Sequence, residues 1–205
     1  NYMEHAPTRS DILSVFAGLR PLAAPQDDDV NSTKEISRDH KLISNASGLV
    51  TITGGKWTTY RKMAEETINL AIKVAALDPK ACMTKTLKIH GYAQNEERGH
   101  WKFYGSDAAG IRALAVTSPE LAAVLHPKFE HIAAEVVWAV RHEMARNVED
   151  VLARRMRILF LDAKASLEMA PQVAKLMAQT LGKDELWINE QTESYRELVK
   201  NYIIN

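Results

Sequence analysis

Two adjacent glycines precede a lysine at Gly54, Gly55 and Lys56, in the segment of the sequence best suited to bind a ligand. Paired glycines let a backbone pass close to a bound molecule. The amphipathic helix predicted to follow would point unsatisfied N–H groups at that molecule. The turn therefore suits an electron-rich group, although an ordinary helix start is the alternative explanation of the same spacing.

This segment matches neither of two common nucleotide-binding motifs. A phosphate-binding P-loop would need glycine at position 50 and serine or threonine at position 57, where the chain has Val50 and Trp57. The dinucleotide fingerprint G-x-G-x-x-G is also absent from the chain. The glycine turn therefore does not predict an NTPase.

Two arginines, Arg20 and Arg38, follow or end strand-like segments near the start of the chain. The planar guanidinium group offers a fixed fork of donors that suits a phosphate. For any single arginine, a surface ion pair is the commoner explanation. Both explanations stay open on the residue pattern alone.

No metal site is predicted from the sequence. Residues 142–146 (HEMAR) begin like the zinc motif H-E-x-x-H but have Arg146 in place of the second histidine. Cys82 is the only cysteine, which excludes an internal disulfide and favours a small apolar filler. The remaining histidines considered show no ligand spacing: His5, His40, His90, His100, His126 and His131.

Composition narrows the class of protein. A chain of 205 residues with 46% hydrophobic content can form one or two domains. Its 26 basic and 26 acidic residues cancel, so we expect no nucleic-acid partner. No run approaches the ~18 to 20 apolar residues of a membrane span, so any membrane contact should be peripheral. The chain begins without Met and enters a strand-like run, which we interpret as the middle of a longer protein.

The first part of the chain predicts strands and one helix. An apolar run at residues 12–17 predicts a strand buried on both faces. Further strands are predicted at residues 35–43 and 49–52, followed by an amphipathic helix at residues 57–77. Residues 78–105 show no sustained periodicity and are interpreted as a connection between domains.

Beyond residue 105 the sequence predicts only helices. Asn147 can cap a short helix, and a longer helix is predicted at residues 162–181, bent or broken near Pro171 and ended by Gly182. A last helix is predicted at residues 184–203. Before them, one helix has apolar residues at every fourth position: Ile132, Val136, Val140 and Met144. The predicted fold class is mostly α, with a small α+β portion preceding a helical domain.

Four basic residues lie close together in the helical part: Arg154, Arg155, Arg157 and Lys164. The simplest interpretation is a solvated helix face whose partners are Glu149 and Asp150. Docking to an anionic lipid headgroup is the alternative.

Four segments together resemble one family, the FAD-dependent glycerol-3-phosphate dehydrogenases. Their order and spacing are more specific than any one segment, and they extend over nearly the whole chain. The segments are residues 14–22 (SVFAGLRPL), 36–40 (ISRDH), 54–62 (GGKWTTYRK) and 142–155 (HEMARNVEDVLARR).

The resemblance implies a domain division and roles for particular residues. Residues 1–77 would complete a flavin and substrate domain, and residues 106–205 would form the carboxyl-terminal helical domain. Residues 78–105 would connect these two domains. Arg20 and Arg38 would hold the substrate phosphate, and Lys56 would act catalytically beside flavin and substrate. The backbone around Lys56 would meet the flavin ring at Gly54, Gly55, Trp57 and Thr58. Trp57 stands where some members of the family have leucine.

The implied activity is oxidation of glycerol 3-phosphate to dihydroxyacetone phosphate, by hydride transfer to FAD with quinone as electron acceptor. The dinucleotide fingerprint would lie upstream, so we do not expect this chain alone to bind FAD. The resemblance also implies a cytoplasmic protein associated peripherally with a membrane surface. Two alternative functions stay open: a helical interaction or membrane-association module, and an oxidase that uses oxygen. Assembly as a homodimer also stays open. The general base cannot be assigned within the chain.

Overall fold

The chain forms two compact units, Gly18–Ile89 and a helical unit of Asn1–Ala17 with His90–Asn205. The computed structural model describes residues 6–19, 39–94 and 97–204. Its α-helices, numbered α1 to α7, are Tyr60–Val74, Ala108–Ala115, Pro119–Ala122, Ala133–His142, Ile158–Leu161, Ala163–Leu181 and Glu185–Val199. The mostly α fold class is confirmed. The domain division at residues 77 and 105 stays a prediction.

The smaller unit, Gly18–Ile89, contains an antiparallel pair of strands, β1 (Lys41–Ser44) and β2 (Val50–Thr53). The side-chain oxygen of Asn45 accepts hydrogen bonds from the backbone of Ser47 and Leu49 at 3.1 and 3.0 Å, which closes the turn between them. The strand predicted at residues 49–52 is therefore confirmed. Of the strand predicted at 35–43, only its last residues can be compared, because residues 35–38 lie outside the described part.

Helix α1 follows β2 through a 3₁₀ turn at Trp57–Thr59. The predicted helix at residues 57–77 is thus present, with its regular part shorter at both ends. Ala76 has a φ of 50°, in the left-handed region that an α-helix does not use, which ends the helix before Leu77. No described residue of this unit is fully buried.

The core of the helical unit lies between α4, α5, α6, α7 and a π-helical turn at Asp150–Arg155. A second, smaller cluster joins Ile111 of α2 to Ala134 of α4. The larger cluster includes long apolar side chains that are almost completely buried: Leu152, Ile158, Leu159, Met169 and Met177. In this unit, the apolar periodicity of the sequence therefore corresponds to a buried face on α4, α6 and α7.

Helix α6 begins and ends where its sequence indicates. Helix α7 begins as predicted but ends at Val199, where a 3₁₀ turn at Lys200–Tyr202 replaces the predicted continuation to residue 203. The Asp162 carboxylate accepts a hydrogen bond from Ala165 N at 2.9 Å, and that of Asp184 accepts one from Trp187 N at 3.0 Å. Gly182 ends α6 with a φ of 66°. Helix α6 is continuous through Pro171, so the expected local break is absent. No helix in the described ranges has both the length and the apolar character needed to cross a membrane.

The segment between α4 and the π-helical turn shows why the HEMAR sequence is not a zinc motif. Helix α4 ends at His142, and Met144 has a φ of 59°, so the predicted apolar row stops before Met144. The predicted cap is confirmed, because the Asn147 side chain accepts a hydrogen bond from Asp150 N at 2.8 Å. Arg155 points inward and donates to the Asp150 carbonyl at 2.8 Å. The segment 142–155, one of the four that carry the family resemblance, therefore fixes a chain reversal.

The basic run is only partly a solvated face. Arg154 contacts the carboxylates of Glu149 at 2.6 Å and Asp150 at 3.1 Å, which confirms the predicted partners for this residue. Arg155 instead donates to backbone carbonyls of the chain reversal, including that of Glu143. Arg157 begins α5 from a left-handed conformation with a φ of 62°.

The strand predicted at residues 12–17 is wrong. The segment is extended, but its backbone bonds to helix ends: Ala163 N donates to Leu13 O at 3.0 Å, and Val15 N donates to Tyr202 O at 2.9 Å. Ile12 and Phe16 are 46% and 69% exposed, so the segment is not buried on both faces. Groups at the ends of α5–α7 provide hydrogen bonds that a neighbouring strand would otherwise provide.

Candidate functional site

The glycine turn leads directly from β2 into the helical segment that contains α1. Gly54 and Gly55 have φ values of 75° and 91°, a conformation that residues with a side chain rarely adopt. A Cβ on Gly55 would lie 2.6 Å from Met63 Sδ and 3.1 Å from His40 Cβ. Lys56 then returns to an extended conformation before the 3₁₀ turn. The conformation therefore requires glycine at position 55, and a Cβ there would also displace the end of the Met63 side chain.

A cavity of about 290 Å³ lies beside this turn. It brings Lys56 close to charged residues that are distant in sequence. Its lining residues are Asp39, His40, Gly55, Lys56, Thr59, Lys62 and Glu66. The cavity is thus a small polar site at the beginning of a helix, with two ammonium groups and two carboxylates on its walls.

Ion pairs fix one side of the cavity. His40 Nε2 lies 2.5 Å from Glu66 Oε2, and Lys62 Nζ lies 3.1 Å from Glu66 Oε1. The hydrogen bond with His40, followed by that with Lys62, holds the pKa of Glu66 below its ordinary value. Glu66 is therefore a carboxylate at neutral pH, and its charge offsets that of Lys62.

The lowered pKa of Glu66 provides a first prediction. Replacing His40 with leucine should raise the pKa of Glu66 towards its ordinary value, because the largest stabilising contact of the carboxylate is lost. A carboxyl group with a lowered pKa stabilises the fold above its ordinary pKa, and this contribution is lost as the pH falls through the lowered value. Carbon-13 NMR titration of the Glu66 side chain measures the change.

Glu65 is the internal control for this titration. Its pKa is lowered chiefly by a hydrogen bond from Arg61 at 3.0 Å, so His40→Leu should leave it unchanged. Equal pKa values for Glu66 in the parent chain and in the variant would contradict the pairing.

The other predicted flavin-facing residues lie at the same turn. Trp57 is 85% exposed and stacks on Tyr60, with ring centroids 5.4 Å apart. Thr58 is exposed, and the Lys56 carbonyl accepts a hydrogen bond from Thr59 N at 3.0 Å. Gly54, Gly55, Lys56, Trp57 and Thr58 thus form one continuous surface. Arg20 and Arg38 lie outside the described residues.

Sequence reasoning missed part of the cavity. His40 shows no metal-ligand spacing, Lys62 was named only within the segment 54–62, and Glu66 was not singled out. His40 and Glu66 are 26 residues apart and meet because the residue before β1 lies beside α1. The one available signal was that His40 and Lys62 both belong to segments that carry the family resemblance.

Most of the chain matches a known protein family. The family described as the C-terminal domain of alpha-glycerophosphate oxidase matches residues 49–186. The chain belongs to this family. The match includes the Lys56 turn, α1 and most of the helical unit, whereas Arg20 and Arg38 precede it.

Named relatives of this alpha-glycerophosphate oxidase domain are glycerol-3-phosphate dehydrogenases. The chain is 36% identical to a probable mitochondrial glycerol-3-phosphate dehydrogenase of Caenorhabditis elegans, over 95% of the chain and 29% of that protein. It is 33% identical to the mitochondrial glycerol-3-phosphate dehydrogenase SDP6 of Arabidopsis thaliana, over 98% of the chain and 37% of that protein. For the mitochondrial glycerol-3-phosphate dehydrogenase of Rattus norvegicus the identity is 34%, over 91% of the chain and 28% of that protein.

The chain therefore spans about a third of the length of these relatives. The resemblance to the carboxyl-terminal portion of glycerol-3-phosphate dehydrogenases, inferred from four sequence segments, is confirmed. The roles assigned to individual residues stay predictions.

Proposed function

We propose that the full-length protein oxidises glycerol 3-phosphate to dihydroxyacetone phosphate by hydride transfer to FAD and passes the electrons to quinone. The observation that carries the proposal is the turn at residues 54–58, in which an exposed lysine follows two left-handed glycines at the start of a helix. Membership of the alpha-glycerophosphate oxidase family supports the same proposal.

The residues of the turn fit the edge of a planar ring. Lys56, Trp57 and Thr58 are exposed, and Gly54 and Gly55 are half-buried beside them. Gly54, Gly55, Trp57 and Thr58 would border the flavin, and Lys56 would lie beside both flavin and substrate. FAD, when bound, supplies the hydride acceptor.

Lys56 and the start of the helical segment would both stabilise the negative charge that develops during hydride transfer. The first N–H groups of a helix carry partial positive charge, and the Lys56 ammonium group adds a full charge beside them. Arg20 and Arg38 would orient the substrate by holding its phosphate.

The role of the two arginines provides a second prediction. Arg20→Ala or Arg38→Ala in the full-length protein should raise the KM for glycerol 3-phosphate ~10- to 100-fold, because one charge-assisted contact is lost. Steady-state kinetics measure KM, and the flavin spectrum should stay normal. Arg196→Ala is the matched control, because Arg196 pairs with Glu193 on α7. An unchanged KM in both site variants would contradict their assignment.

The names of the matched family and of the relatives point to different electron acceptors, oxygen and quinone. The matched domain carries an oxidase name, whereas the relatives carry dehydrogenase names. An oxidase would yield peroxide, whereas a dehydrogenase would reduce a quinone analogue. Measuring both products during turnover distinguishes the two, and we expect quinone reduction to dominate. Quinone as acceptor implies peripheral contact with a membrane surface.

A further inference from the structure

Two histidines and one glutamate meet in the helical unit, in a group that the sequence spacing did not predict. His100 lies in a 3₁₀ turn at Gly99–Phe103, His131 lies just before α4, and Glu135 lies in the first turn of α4. One ligand atom from each residue can be chosen so that all three lie within 4.8 Å of one another. Glu135 is fully buried, and the side chains of His100 and His131 are each 11% exposed.

The distances in this group suit a shared ion. His131 Nδ1 lies 2.7 Å from Glu135 Oε2, and His100 Nε2 lies 3.2 Å from Glu135 Oε1. Two ligands of a tetrahedral zinc ion, each ~2.0 to 2.1 Å from the metal, lie ~3.3 Å apart. To reach this spacing the His131–Glu135 pair would separate by ~0.6 Å, whereas the His100–Glu135 pair already matches it to ~0.1 Å. The remaining pair of ligand atoms lies within 4.8 Å. The ion would take the place of the protons that the imidazoles now share with the carboxylate.

Neighbouring groups already orient the three side chains. His100 Nδ1 lies 3.2 Å from Glu130 Oε2, so the ring has a carboxylate on the nitrogen opposite the one facing Glu135. Histidine ligands of metal ions commonly donate their second N–H to such a carboxylate. The Glu135 carboxylate is held by the Tyr104 hydroxyl at 2.6 Å and by Ile132 N at 2.8 Å. A supporting shell is thus present for two of the three groups.

A cavity of about 770 Å³ borders the same group, and its wall includes both His100 and His131. An ion held by His100, His131 and Glu135 would have three protein ligands. A metal site with three protein ligands and an adjoining cavity keeps a fourth position for water or for a small anion. Two cations, Lys128 and Arg155, and two carboxylates, Glu130 and Glu143, also line this cavity, so charges of both signs lie on its wall.

We infer that His100, His131 and Glu135 bind one divalent transition-metal ion of the zinc type, with an open coordination position facing the cavity. Two imidazole nitrogens and one carboxylate oxygen suit zinc and its neighbours better than calcium or magnesium, which prefer oxygen ligands. This site is additional to the proposed flavin and substrate residues. The same contacts without a metal would be a hydrogen-bonded network in which Glu135 accepts from four donors.

Cobalt titration of the metal-free chain tests the inference. Co²⁺ replaces Zn²⁺ at such sites and absorbs visible light when four- or five-coordinate. We expect saturation at one Co²⁺ per chain, displacement by Zn²⁺, and weaker binding in acid because both imidazoles must be unprotonated. His100→Gln and Glu135→Gln should each weaken binding at least ~10- to 100-fold, the loss that follows even removal of a supporting residue.

His126→Gln is the matched control, because its side chain is 10% exposed and its Nε2 lies 2.9 Å from Glu168 Oε2, outside the group. It should leave cobalt affinity unchanged. Circular dichroism checks that each variant is folded, and the partly exposed His100 provides a second variant if Glu135→Gln does not fold. No stoichiometric cobalt binding by the parent chain, or the same affinity in His100→Gln, would overturn the inference.

Discussion

Replacing Lys56 with methionine in the full-length protein should slow flavin reduction by glycerol 3-phosphate by about 100- to 1000-fold, or ~3 to 4 kcal/mol. Methionine keeps much of the apolar stem but removes the charge. Lys56 lies beside the small polar cavity and immediately before the 3₁₀ turn, where it adds to the partial charge of the helix start. The loss should appear in the chemical step, measured by anaerobic stopped-flow absorbance of the flavin.

Two further variants make this prediction specific. Lys56→Arg keeps the charge but spreads it over a larger plane, so it should lose less of the rate than Lys56→Met. Lys73→Met is the matched control, since Lys73 lies in the last turn of α1 and does not line the cavity. If Lys56 has no catalytic role, its positive charge at the start of the helix is mildly unfavourable. Removing that charge should then leave turnover intact and stability equal or slightly higher. Flavin reduction at the parent rate in the Lys56→Met variant would exclude the catalytic role.

Truncating Leu152 should cost ~2 to 5 kcal/mol of the free energy of unfolding of the helical unit, because it leaves a cavity in the core. Leu152 is completely buried in the π-helical turn, inside the main apolar cluster. Urea unfolding followed by far-ultraviolet circular dichroism measures the loss for Leu152→Ala. The slope of the transition should be unchanged if only stability is affected.

Leu186→Ala is the matched control, because it removes the same side-chain atoms as Leu152→Ala from an exposed position. Leu186 belongs to α7 of the same unit but is 65% exposed, so its truncation should change the free energy of unfolding by less than ~0.5 kcal/mol. Equal effects of the two leucine substitutions would contradict the assignment of the core.

The helical part of the fold could be predicted because its signals are local. Asp162, Gly182 and Asp184 act at helix ends through their own neighbours, so the ends of α6 and the start of α7 follow from the residues themselves. Apolar periodicity similarly indicated α4. Its end could not be predicted from periodicity, because Met144 continues the apolar row but takes a left-handed conformation.

Features that depend on contacts distant in sequence could not be predicted. An apolar run such as residues 12–17 favours a strand, but the hydrogen-bond partners of Leu13 and Val15 are provided by distant helix ends. The spacing of His100 and Glu135, 35 residues apart, likewise gives no sign that they meet. Periodicity identifies which face of an element is buried, and it does not identify the element that covers it.

The glycine turn was the part of the candidate site that the sequence indicated best. Its residues are contiguous, so their proximity needs no tertiary information, and the positive φ values of Gly54 and Gly55 explain why glycine is required. The neighbouring His40 and Glu66 pair depends on packing beside α1 and was not predicted.

We propose that this chain contributes the Lys56 surface to the flavin site of an enzyme that oxidises glycerol 3-phosphate. The visible spectrum of the full-length protein after anaerobic mixing with glycerol 3-phosphate tests this proposal. We expect a yellow protein whose flavin absorbance is bleached by glycerol 3-phosphate but not by glycerol, which lacks the phosphate. A protein purified without flavin, or a flavin that glycerol 3-phosphate leaves oxidised, would contradict the proposal.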